Sequence, residues 1–273
     1  MREPGPEASP AEAPVAVGGG SGGGFGDDDA GSEHSPDRPA HPPGRVALAW
    51  LVHLYTALGA VTALVSISAI AGGRIAEAMW WLYVAVFIDA TDGTAARAVG
   101  VKQVLPGFDG AKLDDIVDYL TFVLVPMFFL LQTGLLQGTA GTLAAGAAVL
   151  ASAFRFCSSD AKTPDAFFTG FPSYWNIVGL YLWVFEVPPA ACAALTAALA
   201  LLVLVPLRFI YPTRMPTLMG WTIGLGVAWS VLVGIVLLRL PERATTVAAI
   251  SLAYPAYYTL ASFWLDWKSR RES

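Results

Sequence analysis

The sequence predicts an all-α, polytopic membrane protein with about eight transmembrane helices, and its composition is the first reason. Of the 273 residues, 55% are hydrophobic and only 14% are charged, which leaves too few charges for the surface of an ordinary soluble domain. Apolar stretches long enough to cross a bilayer, which takes about twenty helical residues, follow one another from Val46 onward. Basic residues gather in alternate connections between these stretches, as is typical of proteins that thread a membrane.

The apolar stretches give the predicted transmembrane helices one by one. The eight stretches occupy residues 46–71, 76–96, 114–136, 139–157, 173–187, 189–210, 218–239 and 244–266. The fifth is short and lies between Pro172 and Pro188, so we expect it to pack steeply or to continue as a broken helix.

The two ends of the chain differ in composition from its apolar part. Residues 1–44 are rich in Gly, Pro, Ala, Ser and Asp, and a run of glycines around one serine occupies residues 18–24. Such a segment buries too little apolar surface to offset its chain entropy, so we predict a disordered N-terminal tail. A membrane domain at 45–268 and a basic C-terminal tail at 269–273 complete the predicted organisation.

The distribution of lysine and arginine predicts which side of the membrane each connection faces, because basic residues near helix ends are retained in the cytoplasm. One set of connections and ends holds eleven of them, whereas the opposite set holds only Arg74, Arg239 and Arg243. The eleven are Arg45, Arg97, Lys102, Lys112, Arg155, Lys162, Arg208, Arg214, Lys268, Arg270 and Arg271. We therefore expect cytoplasmic termini and a cytoplasmic hairpin at 89–118.

Four aspartates stand where the second apolar stretch ends and the third begins. Asp89 and Asp92 are three residues apart at the end of one predicted helix. Asp114 and Asp118 are four residues apart at the start of the next, so each pair lies on one helix face. Converging carboxylates repel one another, whereas Mg²⁺ or Mn²⁺ prefers oxygen ligands and relieves that repulsion. The pattern predicts a divalent metal site at a cytoplasmic-side active site.

Small and basic residues in the same stretch suit a phosphate ligand. Gly93 follows the second aspartate directly and Gly110 precedes the third by four residues, where a missing side chain lets a phosphate approach the backbone. Arg97 offers a planar donor fork that matches phosphate oxygens. The alternative is a solvated loop between two membrane helices, but acids in a fixed order with helical spacing at a membrane edge indicate function.

The order of these residues resembles the signature of the CDP-alcohol phosphotransferase family, whose members are integral-membrane enzymes that make phospholipids. The matching pattern is Asp-x-x-Asp-Gly-x-x-Ala-Arg, a spacer, and then Gly-x-x-x-Asp-x-x-x-Asp. In this chain the pattern is formed by Asp89, Asp92, Gly93, Ala96, Arg97, Gly110, Asp114 and Asp118. The resemblance covers residues 46–268 and implies that the membrane domain is a CDP-alcohol phosphotransferase domain.

Two further features resemble the bacterial phosphatidylcholine synthases within that family. The spacer at 98–109 has twelve residues, which is longer than the family's usual spacer, and the run at 167–176 is rich in aromatic residues. The resemblance implies that CDP-diacylglycerol and choline react to give phosphatidylcholine and CMP, with a pair of Mn²⁺ or Mg²⁺ ions as cofactor. It also implies a bacterial inner-membrane location and a homodimer formed through membrane helices.

The resemblance assigns roles to the signature residues. Two divalent ions would be held by Asp89, Asp92 and Asp114, clamping the pyrophosphate. Asp118 is the candidate general base, and it is equally a candidate metal ligand in keeping with the family, so both roles stay open. The residues expected to contact the CDP phosphates are Gly93, Ala96, Arg97 and Gly110.

A second stretch on the predicted cytoplasmic side supplies the candidate acceptor site. A quaternary ammonium binds over aromatic faces, so we predict Tyr174 and Trp175, with the adjacent Asn176, as acceptor-binding residues. An interfacial aromatic belt explains the same two rings equally well. Arg155 and Lys162 are predicted to hold a lipid phosphate, with a role as topology markers as the alternative.

Two polar residues lie near the cytoplasmic end of the first predicted helix. A lone histidine among apolar residues usually packs, and we predict that role for His53. The resemblance implies that this helix lines the nucleotide site, so contact of His53 or Thr56 with the cytidine is the alternative.

Two other functions fit parts of the sequence. Transfer to serine, glycerol phosphate or inositol uses the same chemistry, but a phosphorylated acceptor calls for a dense basic cluster, whereas the basic residues here are scattered among aromatics. A transporter is expected to have midplane acids and inverted repeats, whereas these acids cluster at one interface and we detect no repeat. The net charge of −5 comes from acids in the tail and the 89–118 stretch, so no nucleic-acid partner is predicted.

Overall fold

A computed structural model describes residues 41–158, 167–171, 173–210 and 219–272 of the chain. Within these residues the protein is helical apart from two three-residue strands, which confirms the predicted all-α fold class. Of the tail predicted to be disordered, 1–44, residues 1–40 lie outside the described residues. Its last two residues are already part of the first helix, which begins at Pro43. Lys162 also lies outside the described residues.

The helices and strands follow the predicted apolar stretches in order. They are α1 (Pro43–Ala71), α2 (Ile75–Val99), α3 (Val101–Val104), α4 (Gly110–Asp118), α5 (Val125–Gln132), α6 (Gly138–Phe156), β1 (Phe167–Thr169), α7 (Trp175–Val184), α8 (Pro189–Leu204), β2 (Arg208–Ile210), α9 (Met219–Leu238), α10 (Thr245–Ser251) and α11 (Ala253–Glu272). A π-helical turn, Tyr119–Leu124, joins α4 to α5 without a break. The last helix runs into the predicted C-terminal tail.

Three of the described helices, α1, α6 and α9, are long and apolar enough to cross a membrane, which supports a membrane protein. α7 and α8 are apolar but shorter, with 10 and 16 residues. α2 has 25 residues but carries two aspartates and an arginine towards its C-terminal end. The count of eight spans therefore stays a prediction.

The helix that follows the acidic hairpin widens into a π-helical turn, which the sequence pattern does not reveal. Val125 donates its backbone N–H to Leu120, five residues back instead of the usual four. The cause is Pro126, because its ring collides with the carbonyl four residues earlier and it has no N–H to donate. The π turn absorbs this conflict without ending the helix, and such turns are frequent at functional sites.

The end of one predicted span, 189–210, forms a short strand, β2, instead of helix. Val205, just after α8, takes an extended conformation because it precedes Pro206. β2 then pairs antiparallel with β1, so that Phe168 lies opposite Phe209. The prediction of a continuous helix over this range is wrong, and the strand pair ties the loop before α7 to the loop after α8.

The hydrophobic core lies among α1, α2, the α4–α5 helix, α6, α7 and α8, with parts of α9 and α10. Its largest fully buried side chains include Trp175, Phe129 and Met127. Large apolar side chains on outer faces are exposed instead, such as Leu64 on α1 and Trp221 on α9, at 67% and 73% exposure. Exposed apolar side chains on outer faces are compatible with a lipid environment, because lipid tails are as apolar as the side chains they surround.

The C-terminal end of α7 is fastened by an ion pair between two connections. Glu186, just after α7, pairs with Arg243, which lies between α9 and α10. The Arg243 guanidinium also lies over the ring of Trp183, 5.1 Å from its centroid. The two contacts hold the α7–α8 connection against the α9–α10 connection.

α1 and α4 approach each other closely at a glycine. A Cβ atom at Gly59 would lie 2.4 Å from Cγ1 of Val117 on α4. Small residues allow this kind of backbone approach between helices in membranes. The contact presses the helix that carries Asp114 and Asp118 against α1.

Gly59→Leu is expected to destabilise the detergent-solubilised protein by about 1–3 kcal/mol, because overpacking a tight contact forces the helices apart. Thermal unfolding followed by size-exclusion chromatography measures the effect. Val117→Ala added to the same chain should recover part of the loss. Gly146→Leu is the matched control, since no atom lies within 4 Å of a Cβ built at that glycine. A Gly59→Leu protein as stable as the parent would contradict the close approach.

Candidate active site

The acidic hairpin is shaped by the end of α2 and the start of α4. Gly100 ends α2 with a φ of 71°, a left-handed conformation that glycine adopts without strain. α3 then packs on α1, and its Val101 and Val104 join a small cluster with Ala49. Asp109 begins α4 as its N-cap, accepting a hydrogen bond from the backbone N–H of Lys112 at 3.1 Å. These features return the chain so that α4 packs on α1 and its carboxyl groups meet that of Asp89 on α2.

Three carboxyl groups from the two helices meet at this hairpin. Oxygen atoms of Asp89, Asp114 and Asp118 all lie within 4.8 Å of one another, and each residue is partly buried. The predicted convergence of two acidic helix faces is thereby confirmed for these three residues. The spacing fits a hard cation, because two oxygens on opposite sides of Mg²⁺ are separated by twice the metal–oxygen distance, about 4 Å.

Asp92 is held differently from the other three aspartates. It is 5% exposed, and Oγ1 of Thr56 on α1 donates a hydrogen bond to its Oδ2 at 2.8 Å. It also lies within hydrogen-bonding reach of the Asp114 carboxyl group and interacts with the charge of Arg97. Asp92 therefore adjoins the triad of Asp89, Asp114 and Asp118 without belonging to it, and its role as a metal ligand stays a prediction.

The predicted phosphate-binding residues on α2 form an accessible surface. Arg97 is exposed, and its Nη2 donates to Oγ1 of Thr94 at 2.9 Å. A Cβ atom at Gly93 would meet only Nη1 of Arg97, at 3.4 Å. Ala96 lies one residue before Arg97 and is half-buried. The surface therefore leaves space above Gly93 beside a guanidinium, whose N–H groups can donate to a phosphate.

Gly110 has a packing role in addition to the predicted one. A Cβ atom there would lie 2.5 Å from Cε1 of His53, so the glycine lets the imidazole ring fit against α4. His53 is buried and its ring centroid lies 4.4 Å from that of Phe108. Among the described residues, Nε2 of His53 has no hydrogen-bond partner. The geometry agrees with a packing histidine, and phosphate contact at Gly110 stays a prediction.

Of the predicted acceptor residues, Tyr174 lies beside the triad. It precedes α7, and its ring meets Phe122 edge-on with centroids 6.2 Å apart. It is close enough to Asp89 and Asp118 to interact electrostatically with both. The structure therefore brings a partly buried aromatic ring to the carboxyl groups, as the sequence analysis expects.

The two residues after Tyr174 face other parts of the molecule. Trp175 is fully buried, and its indole N–H donates to Oγ of Ser152 on α6 at 2.9 Å. Packing covers its ring, which is a poor fit to the predicted role of an open aromatic face. Asn176 is also buried and lines a small, largely apolar cavity that includes Tyr83 of α2 and Trp229 of α9.

Of the two basic residues predicted to hold a lipid phosphate, only Arg155 lies among the described residues. Arg155 is in the last turn of α6, and its Cδ would lie 3.4 Å from a Cβ atom at Gly170. It therefore sits beside the loop that leads to Tyr174. Lys162 is outside the described residues. Phosphate binding by either residue stays a prediction.

The sequence does not predict the hydrogen bond of Thr56 or the two tyrosines of α11 near Tyr174. Thr56 is predicted only as an alternative nucleotide contact, whereas it donates a hydrogen bond to Asp92. Tyr254 and Tyr258 of α11 interact electrostatically with Tyr174 and are absent from the predicted site. Their spacing by four residues is a detectable signal, because it places both rings on one helix face.

Comparison with known proteins finds several bacterial phosphatidylcholine synthases that are similar to this chain. The chain is 38% identical over 237 residues to the phosphatidylcholine synthase of Legionella pneumophila, an alignment that covers 84% of this chain and 93% of the relative. It is 34% identical over 226 residues to that of Pseudomonas aeruginosa, covering 83% and 94%. For Rhizobium johnstonii the figures are 37% over 212 residues, covering 76% and 86%. No protein-family model matches the chain.

These alignments span nearly the whole of both relatives from Legionella pneumophila and Pseudomonas aeruginosa. The relatives belong to the same family that the spaced signature from Asp89 to Asp118 resembles. Three carboxyl groups of that signature meet in the structure. The chain belongs to the phosphatidylcholine synthase family.

Proposed function

We propose that this protein is a phosphatidylcholine synthase that condenses CDP-diacylglycerol with choline, giving phosphatidylcholine and CMP. The observation that carries the proposal is its 38% identity to a protein of that name over 93% of the relative's length. The triad of Asp89, Asp114 and Asp118 supports it, because the relatives' name implies transfer of a phosphate-bearing group and the triad offers oxygen ligands for the required counter-charge.

The bond changes follow from the substrates. The choline hydroxyl oxygen forms a bond to the phosphorus of the phosphatidyl group. The bond between that phosphorus and the oxygen that bridges to CMP breaks, and CMP leaves with the bonding electrons. The proton of the hydroxyl passes to a base, for which we propose Asp118. Because a carboxylate is a weak base towards an alcohol, close positioning of the hydroxyl supplies much of the acceleration.

The triad is the proposed holder of divalent ions, Mn²⁺ or Mg²⁺, and Asp92 is the proposed fourth ligand. Asp89 and Asp114 contribute from different helices, so the hairpin must be closed for the site to exist. A bound ion would neutralise the charge that develops on the departing phosphate. Asp118 lies in the same triad, and we propose that it both ligates and accepts the proton.

The remaining polar contacts are proposed for the two substrates. Arg97 holds the pyrophosphate oxygens in the space that the small residues Gly93 and Ala96 leave beside it, and Gly110 borders the same phosphates. Arg155 and Lys162 are proposed to hold the lipid phosphate. Tyr174 receives the acceptor, because its ring lies beside Asp118 and a permanent cation is attracted to aromatic faces. Asn176 and Trp175 support Tyr174 from the start of α7.

The proposal includes the placement of the protein in a bacterial inner membrane. Eleven lysines and arginines against three on alternate connections favour cytoplasmic termini and a cytoplasmic active site. A water-soluble acceptor would meet the lipid substrate at that surface. About eight spans, the domain division at 45–268 and a dimer through membrane helices belong to the same proposal.

The decisive experiment supplies purified protein with CDP-diacylglycerol and a panel of alcohols. With choline, the protein should release CMP and form phosphatidylcholine. Serine, glycerol phosphate and inositol should give no CMP. A chelator should stop the reaction until Mn²⁺ or Mg²⁺ is restored. Turnover with serine in preference to choline would show that serine, and not choline, is the acceptor. No CMP release with any alcohol would contradict the transferase function, and a transporter would show that result.

Asp118→Asn is expected to lower kcat by at least about 100-fold, because the change removes the base while keeping the size of the side chain. Asp109→Asn is the matched control, since asparagine also caps a helix and Asp109 lies outside the triad. Steady-state CMP release measures both variants. An Asp118→Asn enzyme within about tenfold of the parent would contradict the assignment of the base.

Asp114→Asn and Asp89→Asn are expected to weaken metal binding by about tenfold or more, since even outer-shell partners of a metal contribute that much. Binding of Mn²⁺ to the purified protein, followed by electron paramagnetic resonance, gives a readout that does not depend on turnover. The metal concentration for half-maximal activity should rise in parallel. An unchanged Mn²⁺ titration in both variants would argue against ligation by the triad.

A further inference from the structure

Two tyrosines of α11 lie at the edge of the proposed active site and have no role in the chemistry described so far. Tyr254 and Tyr258 are half-buried, and their ring centroids are 6.4 Å apart. Both interact electrostatically with Tyr174, which interacts in the same way with Asp89 and Asp118. Tyr174 thus adjoins the carboxyl groups, and the two tyrosines of α11 interact with Tyr174 from a distant part of the chain.

Tyr174 is fixed next to the triad by its contact with the π-helical turn. Phe122 lies four residues after Asp118 in the same continuous helix, and its ring meets that of Tyr174 edge-on. Residues four apart lie near the same helix face, so Phe122 holds the ring on the side of the helix that presents Asp118. The tyrosine ring therefore borders the proposed base.

α11 is held at the site by contacts from the strand pair. Phe209 of β2 stacks on Tyr258, with ring centroids 6.3 Å apart and an interplanar angle of 17°. Nη1 of Arg208 lies 3.3 Å from Oδ1 of Asp266 on α11, and both side chains are largely buried. Beside the strands, Gly170 donates its backbone N–H to Leu207 at 2.7 Å. One small sheet thus links α11 to the loop that leads to Tyr174.

We propose that Tyr174, Tyr254 and Tyr258 together form the binding site for the quaternary ammonium group of the acceptor. A quaternary ammonium has no N–H to donate, so hydrogen bonding to carboxylates provides no selectivity for it, whereas aromatic faces attract it directly. The negative charges of Asp89 and Asp118 reinforce that attraction over a longer distance. This inference rests on the proposed function and adds to it the residues of α11.

The size of choline explains why the aromatic site must adjoin the triad. Only an ethylene bridge separates the nitrogen of choline from its hydroxyl oxygen. A cation held by rings far from Asp118 would leave the hydroxyl out of reach of the base and of the phosphorus. Tyr174 is the ring that meets this condition, and Tyr254 and Tyr258 close the pocket around the methyl groups from the side of α11.

The test compares Tyr258→Leu with Tyr258→Phe in the full-length purified enzyme. The leucine variant should raise the KM for choline about tenfold, which is the loss of one desolvated cation–π contact, while the KM for CDP-diacylglycerol stays unchanged. The phenylalanine variant keeps the ring and should stay within about threefold of the parent. Trp264→Leu is the matched control, because Trp264 is an aromatic residue of the same helix that is 52% exposed and packs against Lys268.

Inhibition by tetramethylammonium gives a second readout that separates recognition from chemistry. This ion has the cationic head of choline and no hydroxyl, so it should compete with choline in the parent enzyme. Its inhibition constant should rise about tenfold in Tyr258→Leu and in Tyr254→Leu, and should not change in Trp264→Leu. The Tyr254→Leu variant keeps the test valid if Tyr258→Leu does not fold.

The outcomes distinguish this inference from the proposed function. If the parent enzyme makes no phosphatidylcholine from choline, the proposed function is wrong and this site is wrong with it. If the parent enzyme is active but the leucine variants leave the choline KM and the tetramethylammonium constant unchanged, the tyrosine site alone is overturned. A parallel rise of the KM values for choline and CDP-diacylglycerol would also overturn it, because that result indicates a structural role.

Discussion

Repulsion among three carboxyl groups is the constraint on which the rest of this structure depends. Oxygens of Asp89, Asp114 and Asp118 lie within 4.8 Å of one another, where like charges destabilise the ionised state unless a cation is bound. Packing of α2 and α4 against α1 must oppose this repulsion in the metal-free hairpin. A metal that bound only the folded hairpin, as proposed, would stabilise it by mass action, so the same acids that weaken the empty hairpin would favour a loaded form.

α1 is the element that opposes the repulsion, because it touches both acid-bearing helices within about two turns. His53 packs against Gly110 at the start of α4, and Gly59 admits Val117 further along it. Between them Thr56 bonds a buried aspartate of α2. Side chains three apart share a helix face, so a single stripe of α1 sets the distance between α2 and α4. The geometry of the triad is therefore a property of three helices.

The acceptor side of the site depends on contacts between segments far apart in the chain. Tyr174 reaches the triad because Phe122 and the loop before α7 position it, and that loop is tied to β2 through backbone hydrogen bonds. Phe209 of β2 then stacks on Tyr258 of α11. A three-residue strand pair thus joins the loop before α7 to the end of the chain, and the proposed cation site exists only where all three segments meet.

The sequence by itself determined the helical fold, most of the apolar segments and a convergence of spaced aspartates, because helical spacing and hydrophobicity are local properties. It predicted four aspartates together, and only the tertiary structure set Asp92 apart on Thr56. It placed Asp89, Asp114 and Asp118 on faces that meet, since a short hairpin leaves few alternatives. Only the tertiary structure decided that Trp175 is buried whereas Tyr174 borders the triad, and that α11 contributes Tyr258. Which side of a ring is covered depends on neighbours distant in sequence, and no periodicity within one segment encodes those neighbours.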